Sequence, residues 1–313
     1  MKRKLSFILV AFMVLALLSG CGPTDDPGAG STDDGKLKVI TSFTIIEDMT
    51  REIAGDKVDI HNLVPNGTDP HEYEPLPQDV KKASDADIFF YNGLNLEGGE
   101  DGWFFRMIDS VGQSKENIYK LTERVEPMYI SGDDGKEQEV NPHSFADPVV
   151  GIHMAEDIRD ILMEVDSDNK DFYEEKANEY IDKLKAIDNE YREKIEEIAE
   201  ENRILVTSER AFQYMAKRYG LKEGYIWAID TEENGSPDQI KSLLGFIEEN
   251  DVKVLFVESN VDTRPMETVS KESGIPIAPE PIYSDEIGEK DGKINTYLEY
   301  LEYNINLIFT NLK

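Results

Sequence analysis

The first part of the chain alternates short apolar runs with amphipathic segments. The apolar runs are rich in β-branched residues, which is typical of strands. The last of them is apolar throughout, as expected of a strand that is buried on both faces of a parallel sheet. Strands that alternate with helices in this way predict βαβ units. The predicted strands are 36–44, 57–65 and 86–93, and the predicted helices are 45–54 and 77–83.

A different pattern follows from Asp171 to Asn202, a segment without Pro or Gly. Its apolar residues recur every three or four positions and form a single helical stripe. At about 1.5 Å per residue, the helix would be roughly 45 Å long. A coiled-coil arm is the alternative, but strand signals on both sides favour a strut between two lobes. The stripe consists of Tyr173, Ala177, Tyr180, Leu184, Ile187, Tyr191, Ile195 and Ile198.

Beyond this helix the alternation resumes, with strands predicted at 203–209 and 252–259. A helix is predicted at 234–250, with Ser236 as N-cap and Pro237 in its first turn. The last twenty residues are also predicted to be helical. The predicted fold class is therefore α/β, with two lobes that each hold a mainly parallel sheet flanked by helices, joined by one long rigid helix. The predicted domains are a first lobe at 36–166, a linking helix at 167–201 and a second lobe at 202–313.

The N-terminal segment predicts export and lipidation. A basic start is followed by an apolar stretch of about 14 residues, the length of a signal peptide core, and then by LSGC with the sole cysteine, Cys21. We predict a signal peptide at 1–20 and a lipidated Cys21 that begins a flexible tether at 21–35. An ordinary cleaved signal, or an uncleaved anchor with an incidental cysteine, is the alternative. One thiol leaves no partner for a disulfide.

The chain is strongly acidic, with a formal net charge of −32 at pH 7. Nucleic acids and anionic membrane surfaces require a basic patch on the protein that binds them. The charge therefore argues against both as partners, and attachment to the membrane would depend on the lipid.

Four residues with metal-binding side chains occupy loops that follow strands or precede helices. In open α/β sheets, ligands collect at the carboxyl ends of strands. If these side chains converge, they offer two nitrogens and two to four oxygens to a metal. Each also has an ordinary interpretation, as a turn histidine, a helix N-terminal acid or an N-cap, and spacing alone does not decide. The four are His71 in DPHEYEP, His143 in NPHSFADP, Glu209 in TSERAFQY and Asp285 in IYSDEIG.

Several stretches resemble the metal-specific solute-binding lipoproteins of ABC importers, the manganese, zinc and iron group with the TroA-type fold. These stretches are DPHEYEPLPQDV, TSERAFQYMAKRYGL, TEENGSPDQI and FVESNVDTRPMETVSKESGIPI. The resemblance covers essentially the whole mature chain. It implies two lobes bridged by a rigid helix, with one divalent metal in the cleft. It also implies a permease and its ATPase subunit as partners, and a lipid-anchored monomer at the extracytoplasmic face of a bacterial membrane.

The resemblance carries the ligand role onto His71, His143, Glu209 and Asp285. Two positions depart from the family pattern: Asn141 stands where aspartate is more usual, and Glu286 stands where serine is usual. The first departure leaves the ligand in place with different neighbours. The second leaves open which of the two acids binds.

The resemblance points to Mn²⁺ as the cargo, with Zn²⁺ or Fe²⁺ as alternatives. Zinc-type members usually have a third histidine at the position of Glu209 and often a histidine-rich loop, whereas segment 131–140 is acidic and lacks histidine. Oxygen ligands suit manganese. Zinc should still bind in vitro, because divalent affinities generally rise from manganese toward copper and zinc. Since the ligand histidines must be neutral, affinity should fall as pH drops through the histidine range.

Three further side chains have less direct interpretations. Glu258, at the end of FVES, could accept the second N–H of a ligand histidine, or could hold a loop through backbone N–H groups; both readings stay open. His61 lies within a predicted strand and His153 within a predicted helix, and both are expected to be structural.

Two other function classes remain as alternatives. A surface metallohydrolase would need an open metal position and a general base, and the sequence has no HExxH motif. A lipid-anchored adhesin is compatible with the tether, but nothing in the sequence indicates its partner. The binding protein is preferred, and no enzymatic activity is expected.

Overall fold

The computed structural model describes residues 35–131, 138–229, 235–288, 292 and 294–313. The predicted signal peptide, Cys21 and the tether up to residue 34 lie outside these ranges, as does most of the acidic segment 131–140. Residues 37–313 form one structural unit. None of the helices in the described ranges combines the length and the apolar character that crossing a bilayer requires.

The first lobe is built on a four-stranded parallel sheet with the strand order β2-β1-β3-β4. Parallel neighbours require crossover connections, and helices supply them here as the βαβ pattern predicts. The strands are β1 (Leu37–Thr41), β2 (Val58–Asn62), β3 (Ile88–Tyr91) and β4 (Ile118–Lys120). The helices are α1 (Thr44–Ala54), α2 (Pro77–Ser84) and α3 (Trp103–Val111).

A small hairpin and an 18-residue helix complete this lobe. Strands β5 (Tyr129–Ser131) and β6 (Gln138–Val140) pair antiparallel. A 3₁₀ turn, His143–Ala146, then leads into α4 (Pro148–Val165). The Asp147 side chain caps α4 by accepting the Val149 N–H at 3.0 Å. The predicted ligand His143 therefore lies in a tight turn directly before a capped helix.

The lobes are joined by helix α5, Lys170–Glu197, which has 28 residues. Seven residues of the apolar stripe lie on the buried face of α5, and the eighth, Ile198, is buried at its C-cap. The helix ends earlier than the predicted boundary, and a separate 3₁₀ turn, Glu200–Asn202, follows it. Tyr191 on α5 donates a hydrogen bond to the carbonyl of Leu301 at 2.9 Å, which ties the strut to the C-terminal helix.

The second lobe holds the parallel pair β7 (Ile204–Glu209) and β8 (Lys222–Trp227). The predicted N-cap Ser236 is confirmed at the start of helix α7 (Pro237–Glu249), where Ser236 and Gln239 also form a capping box by bonding each other's backbone N–H groups. The helices are α6 (Gln213–Tyr219), α7 (Pro237–Glu249), α8 (Arg264–Ser273) and α9 (Tyr297–Leu312).

The prediction of a regular strand at 252–259 is wrong. The segment does lie beside β7, where the Phe256 N–H donates to Val206 O at 2.8 Å. On its other side it makes only isolated parallel bridges, Leu255 to Ile277 and Glu258 to Ile282. The facing segment contains Pro276, Pro279 and Pro281, and proline has no N–H to continue a ladder.

Two buried carboxyl groups in the first lobe predict an unusual pH dependence of stability. Burial raises the pKa of Asp48, on α1, and of Glu97, between β3 and α3, to about 7 from 3.8 and 4.5. At a pH between the ordinary pKa of each group and its raised pKa, the folded state binds more protons than the unfolded chain. Each group therefore makes the folded state more stable as the pH falls through this range. The slope is about 1.4 kcal/mol per pH unit for each group. We expect the melting temperature of the metal-free protein to rise from pH 8 to pH 5.5.

The substitutions Asp48→Asn and Glu97→Gln should flatten this rise, because each removes one titrating group. Asp182→Asn is the matched control, since the side chain of Asp182 is 77% exposed. Thermal unfolding at several pH values measures the slopes. Equal slopes in the wild type and both buried-site variants would contradict the assignment.

Candidate metal centre

The four residues predicted as ligands come from four separate segments of the chain and converge at one point. His71 lies between β2 and α2, and His143 begins the 3₁₀ turn before α4. Glu209 is the last residue of β7, and Asp285 lies between the Glu258 to Ile282 bridge and α9. Each lobe thus contributes two side chains.

The distances between these side chains suit a shared metal ion. His143 Nε2 lies 2.9 Å from Asp285 Oδ1 and 3.5 Å from Glu209 Oε1, and His71 Nε2 lies 4.0 Å from Asp285 Oδ1. Ligand atoms about 2.0–2.2 Å from a metal are about 3–4 Å from one another. Within the described residues, three side chains are close enough together to hold one metal ion. They are His71, His143 and Glu209, and one ligand atom from each lies within 4.8 Å of the others.

The site is almost completely removed from solvent. The side chain of His71 is 9% exposed, while His143, Glu209 and Asp285 are at most 2% exposed. Among the described residues, Nε2 of both histidines and Oδ1 of Asp285 are buried and face one another, with no hydrogen bond to a group outside the site. Unsatisfied buried polar atoms are costly, and a bound cation would satisfy all three.

Burial also prepares the protonation states. It lowers the pKa of His71 to about 4, with Asp285 opposing the shift and His143 adding to it. His71 is therefore neutral at physiological pH, and its share of any acid-induced loss of affinity moves from the ordinary histidine range to about pH 4. Burial alone would raise the pKa of Asp285, but the adjacent imidazoles of His143 and His71 hold it well below its ordinary value.

The loop that carries His71 is fixed at several points. The backbone N–H of His71 donates to Asp69 Oδ1 at 2.7 Å, and Trp103 Nε1 donates to Pro70 O at 2.8 Å. Asp79, the first-turn acid of α2, accepts the Tyr73 hydroxyl and contacts His61 Nε2, both at 2.7 Å. His61 therefore supports the loop from outside the metal cluster.

His153 likewise lies outside the cluster. It is on α4, where its backbone carbonyl accepts a hydrogen bond from Arg124 Nη2 at 2.7 Å.

Glu258 holds the end of β7. Its carboxylate accepts the backbone N–H of Ser208 at 3.1 Å and of Glu209 at 2.8 Å. Of the two interpretations left open by the sequence, this contact matches the loop-holding one. Burial raises the pKa of Glu258 to about 7.

Glu97 makes the same kind of contact in the first lobe, and no sequence pattern predicts it. It accepts the N–H of Asn92 at 2.7 Å and of Gly93 at 3.0 Å, at the end of β3. The amide of Asn92 in turn donates to Pro142 O at 3.1 Å, next to His143. A buried carboxyl group thus supports the ligand-bearing segment in both lobes.

Asp285, rather than Glu286, faces the histidines. Asp285 Oδ2 accepts hydrogen bonds from Ser284 Oγ at 2.9 Å and Asn260 Nδ2 at 3.2 Å, which leaves Oδ1 directed at the imidazoles. The Glu286 carboxylate instead accepts the backbone N–H of Gly67 from the first lobe. This arrangement favours Asp285 over Glu286 as the acidic residue that would bind the metal.

Comparison with known proteins decides the family. Residues 39–310 match the family described as zinc-uptake complex component A, periplasmic. The chain belongs to this family. It is 43% identical over 313 residues to the iron ABC transporter substrate-binding lipoprotein MtsA of Streptococcus pyogenes, covering 100% of this chain and 99% of that protein. It is 42% identical over 311 residues to the manganese ABC transporter substrate-binding lipoprotein PsaA of Streptococcus mitis, covering 99% of each.

Solved structures agree on the fold. A Mn-bound periplasmic metal binding protein from Candidatus Liberibacter asiaticus has a TM-score of 0.78 at 29% identity, covering 89% of this chain and 100% of that one. The periplasmic zinc binding protein TroA from Treponema pallidum has a TM-score of 0.79 at 24% identity, covering 89% and 99%. These matches confirm the predicted two-lobed α/β fold with its long connecting helix.

Proposed function

We propose that this family member captures one Mn²⁺ ion on His71, His143, Glu209 and Asp285, and delivers it to the permease of an ABC importer. The family establishes the coarser role, a metal-binding component of an importer and not an enzyme. The observation that carries the finer proposal is the convergence of His71, His143 and Glu209, whose ligand atoms lie within 4.8 Å of one another. The Asp285 carboxylate joins them, 2.9 Å from His143 Nε2 and 4.0 Å from His71 Nε2, at a buried site. The importer's ATPase subunit would drive release and transport.

Manganese is proposed as the cargo because of the donor set. Two carboxylates supply up to four oxygens, which are harder ligands than the nitrogen and sulfur donors typical of structural zinc sites. The two ionised carboxylates also match the charge of a divalent cation. The names of the relatives include both iron and manganese, and Fe²⁺ and Zn²⁺ remain the competing cargoes.

The cellular setting follows from the family and the N-terminal sequence together. The relatives named above are lipoproteins, and the role is extracytoplasmic. We propose that residues 1–20 are removed, that Cys21 carries the lipid and that residues 21–35 form the tether. We further propose that the protein acts as a monomer, with lobes at 36–166 and 202–313 on either side of the linking helix at 167–201.

A metal titration tests this function. Residues 22–313, stripped of metal, should bind one Mn²⁺, one Fe²⁺ (anaerobically) or one Zn²⁺ per chain in calorimetry, because all three fit the donor set. Zn²⁺ should bind more tightly than Mn²⁺ in vitro. Uptake of manganese, iron and zinc by cells that carry the importer then identifies the cargo. A chain that binds no divalent cation would refute the proposal, and uptake restricted to zinc or iron would refute manganese.

A further inference from the structure

The side chain of Asn141 makes hydrogen bonds in two directions. Its Oδ1 accepts the backbone N–H of His143 at 3.0 Å and lies 2.8 Å from His143 Nδ1. Its Nδ2 donates to Arg210 O at 2.8 Å and to Gln213 Oε1 at 3.0 Å. A backbone N–H can only donate and a carbonyl can only accept, so these partners determine the orientation of the amide.

This orientation determines the tautomer of His143. Because Oδ1 is an acceptor, the Nδ1 atom that faces it must carry the proton. The opposite nitrogen, Nε2, is the atom that lies 2.9 Å from Asp285 and 3.5 Å from Glu209. Outer groups of this kind, which hold the second N–H of a ligand histidine, orient the ring and raise its affinity for metal.

The partners of Asn141 also belong to different lobes. His143 lies in the first lobe, whereas Arg210 directly follows Glu209 at the end of β7 in the second. The backbone of Asn141 is itself held, because its N–H donates to Met128 O and its carbonyl accepts the Tyr214 hydroxyl, both at 2.8 Å. Asn141 is fully buried. The Asn141 side-chain amide therefore connects the ligand His143 to Arg210, the residue that directly follows the ligand Glu209.

We propose that Asn141 is a positioning residue that keeps His143 protonated on Nδ1, presents its Nε2 to the cargo metal and couples it across the lobes to the end of the strand that bears Glu209. This inference rests on the proposed function, since it assigns a role within the same site. An aspartate at this position could accept both N–H groups of His143. It could not donate to Arg210 O, so the cross-lobe bond requires the amide.

The test combines metal affinity with the imidazole proton of His143. In ¹⁵N-labelled protein, both the metal-free and the Zn²⁺-loaded forms should show a slowly exchanging Nδ1–H on His143. Asn141→Ala should lose that protection and should bind Mn²⁺ about 10- to 100-fold more weakly. Asn141→Asp should keep the protected Nδ1–H and lose less affinity than the alanine variant. Asn250→Ala is the matched control, because the Asn250 amide donates to Phe246 O at 2.7 Å, at the end of α7.

Each outcome decides the assignment. An unprotonated Nδ1 in the wild-type protein would overturn it, and that measurement does not depend on whether any variant folds. Unchanged affinity in Asn141→Ala, or weaker affinity with the Nδ1–H still protected, would also overturn it, since either result would leave Asn141 with a structural role alone. Wild-type protein that binds no metal but shows the protected Nδ1–H would refute the proposed function and not the hydrogen bond.

Discussion

Alanine in place of His71 or Glu209 is expected to weaken Mn²⁺ binding by more than the roughly 10- to 100-fold that loss of a supporting outer residue costs. Each substitution removes a direct ligand from a buried site. Water cannot easily replace it, because the site is buried, with His143, Glu209 and Asp285 at most 2% exposed. Calorimetric titration of the metal-free variants with Mn²⁺ measures the effect.

Controls separate ligation from damage to the fold. His153→Ala removes a histidine on α4 that lies outside the metal cluster, and the backbone carbonyl that accepts the Arg124 hydrogen bond is kept. This variant should therefore bind Mn²⁺ like the wild type. Glu209→Gln keeps the volume of the side chain but removes its charge, and it should fall between the wild type and Glu209→Ala. Unfolding curves of the metal-free variants verify that each is folded. Wild-type affinity in a folded His71→Ala or Glu209→Ala variant would exclude that residue as a ligand.

The features that sequence could predict are those that depend on local periodicity. The apolar stripe of α5 recurs over eight positions, so it indicates the helix and its buried face without any knowledge of the partners. Ser236 and Pro237 mark the start of α7 for the same reason. The positions of His71 and Glu209 near strand ends also follow from local pattern, because parallel strands place such loops on one side of a sheet.

The groups that support the ligands were not predictable in this way. Glu97 is one of 65 acidic residues, and nothing in the neighbouring sequence indicates that it is buried and bonds backbone N–H groups. For Glu258 the sequence left this role open beside a contact with a ligand histidine, and it could not decide between the two. Asn141 has its partners at Arg210 and Gln213, about seventy positions away along the chain. Contacts of this kind depend on how the lobes approach each other. The prediction of a regular strand at 252–259 was wrong for a related reason, because the prolines that interrupt its hydrogen-bond ladder lie in the facing segment.

The second large effect concerns the turn that holds Glu97. Gly102→Ala is expected to lower the free energy of unfolding by about 4 kcal/mol or more, at the extreme end for single substitutions. A Cβ at this position would lie 2.1 Å from Glu97 O and 2.4 Å from Gly98 C. Both are backbone atoms of the same tight turn, so no side-chain rotation relieves the overlap. The turn itself must open, and the hydrogen bonds from Asn92 and Gly93 to Glu97 would be strained with it.

Gly245→Ala provides the control with the opposite sign. Gly245 lies inside α7, and a Cβ there would meet nothing within 4 Å. Alanine should therefore stabilise the protein by about 0.5–1 kcal/mol, through its higher helix propensity alone. Chemical denaturation of the two variants measures both changes. If Gly102→Ala were as stable as the wild type, the turn would have to accommodate a side chain where the structure leaves no space. The support that Glu97 gives to the segment before His143 would then have to be reconsidered.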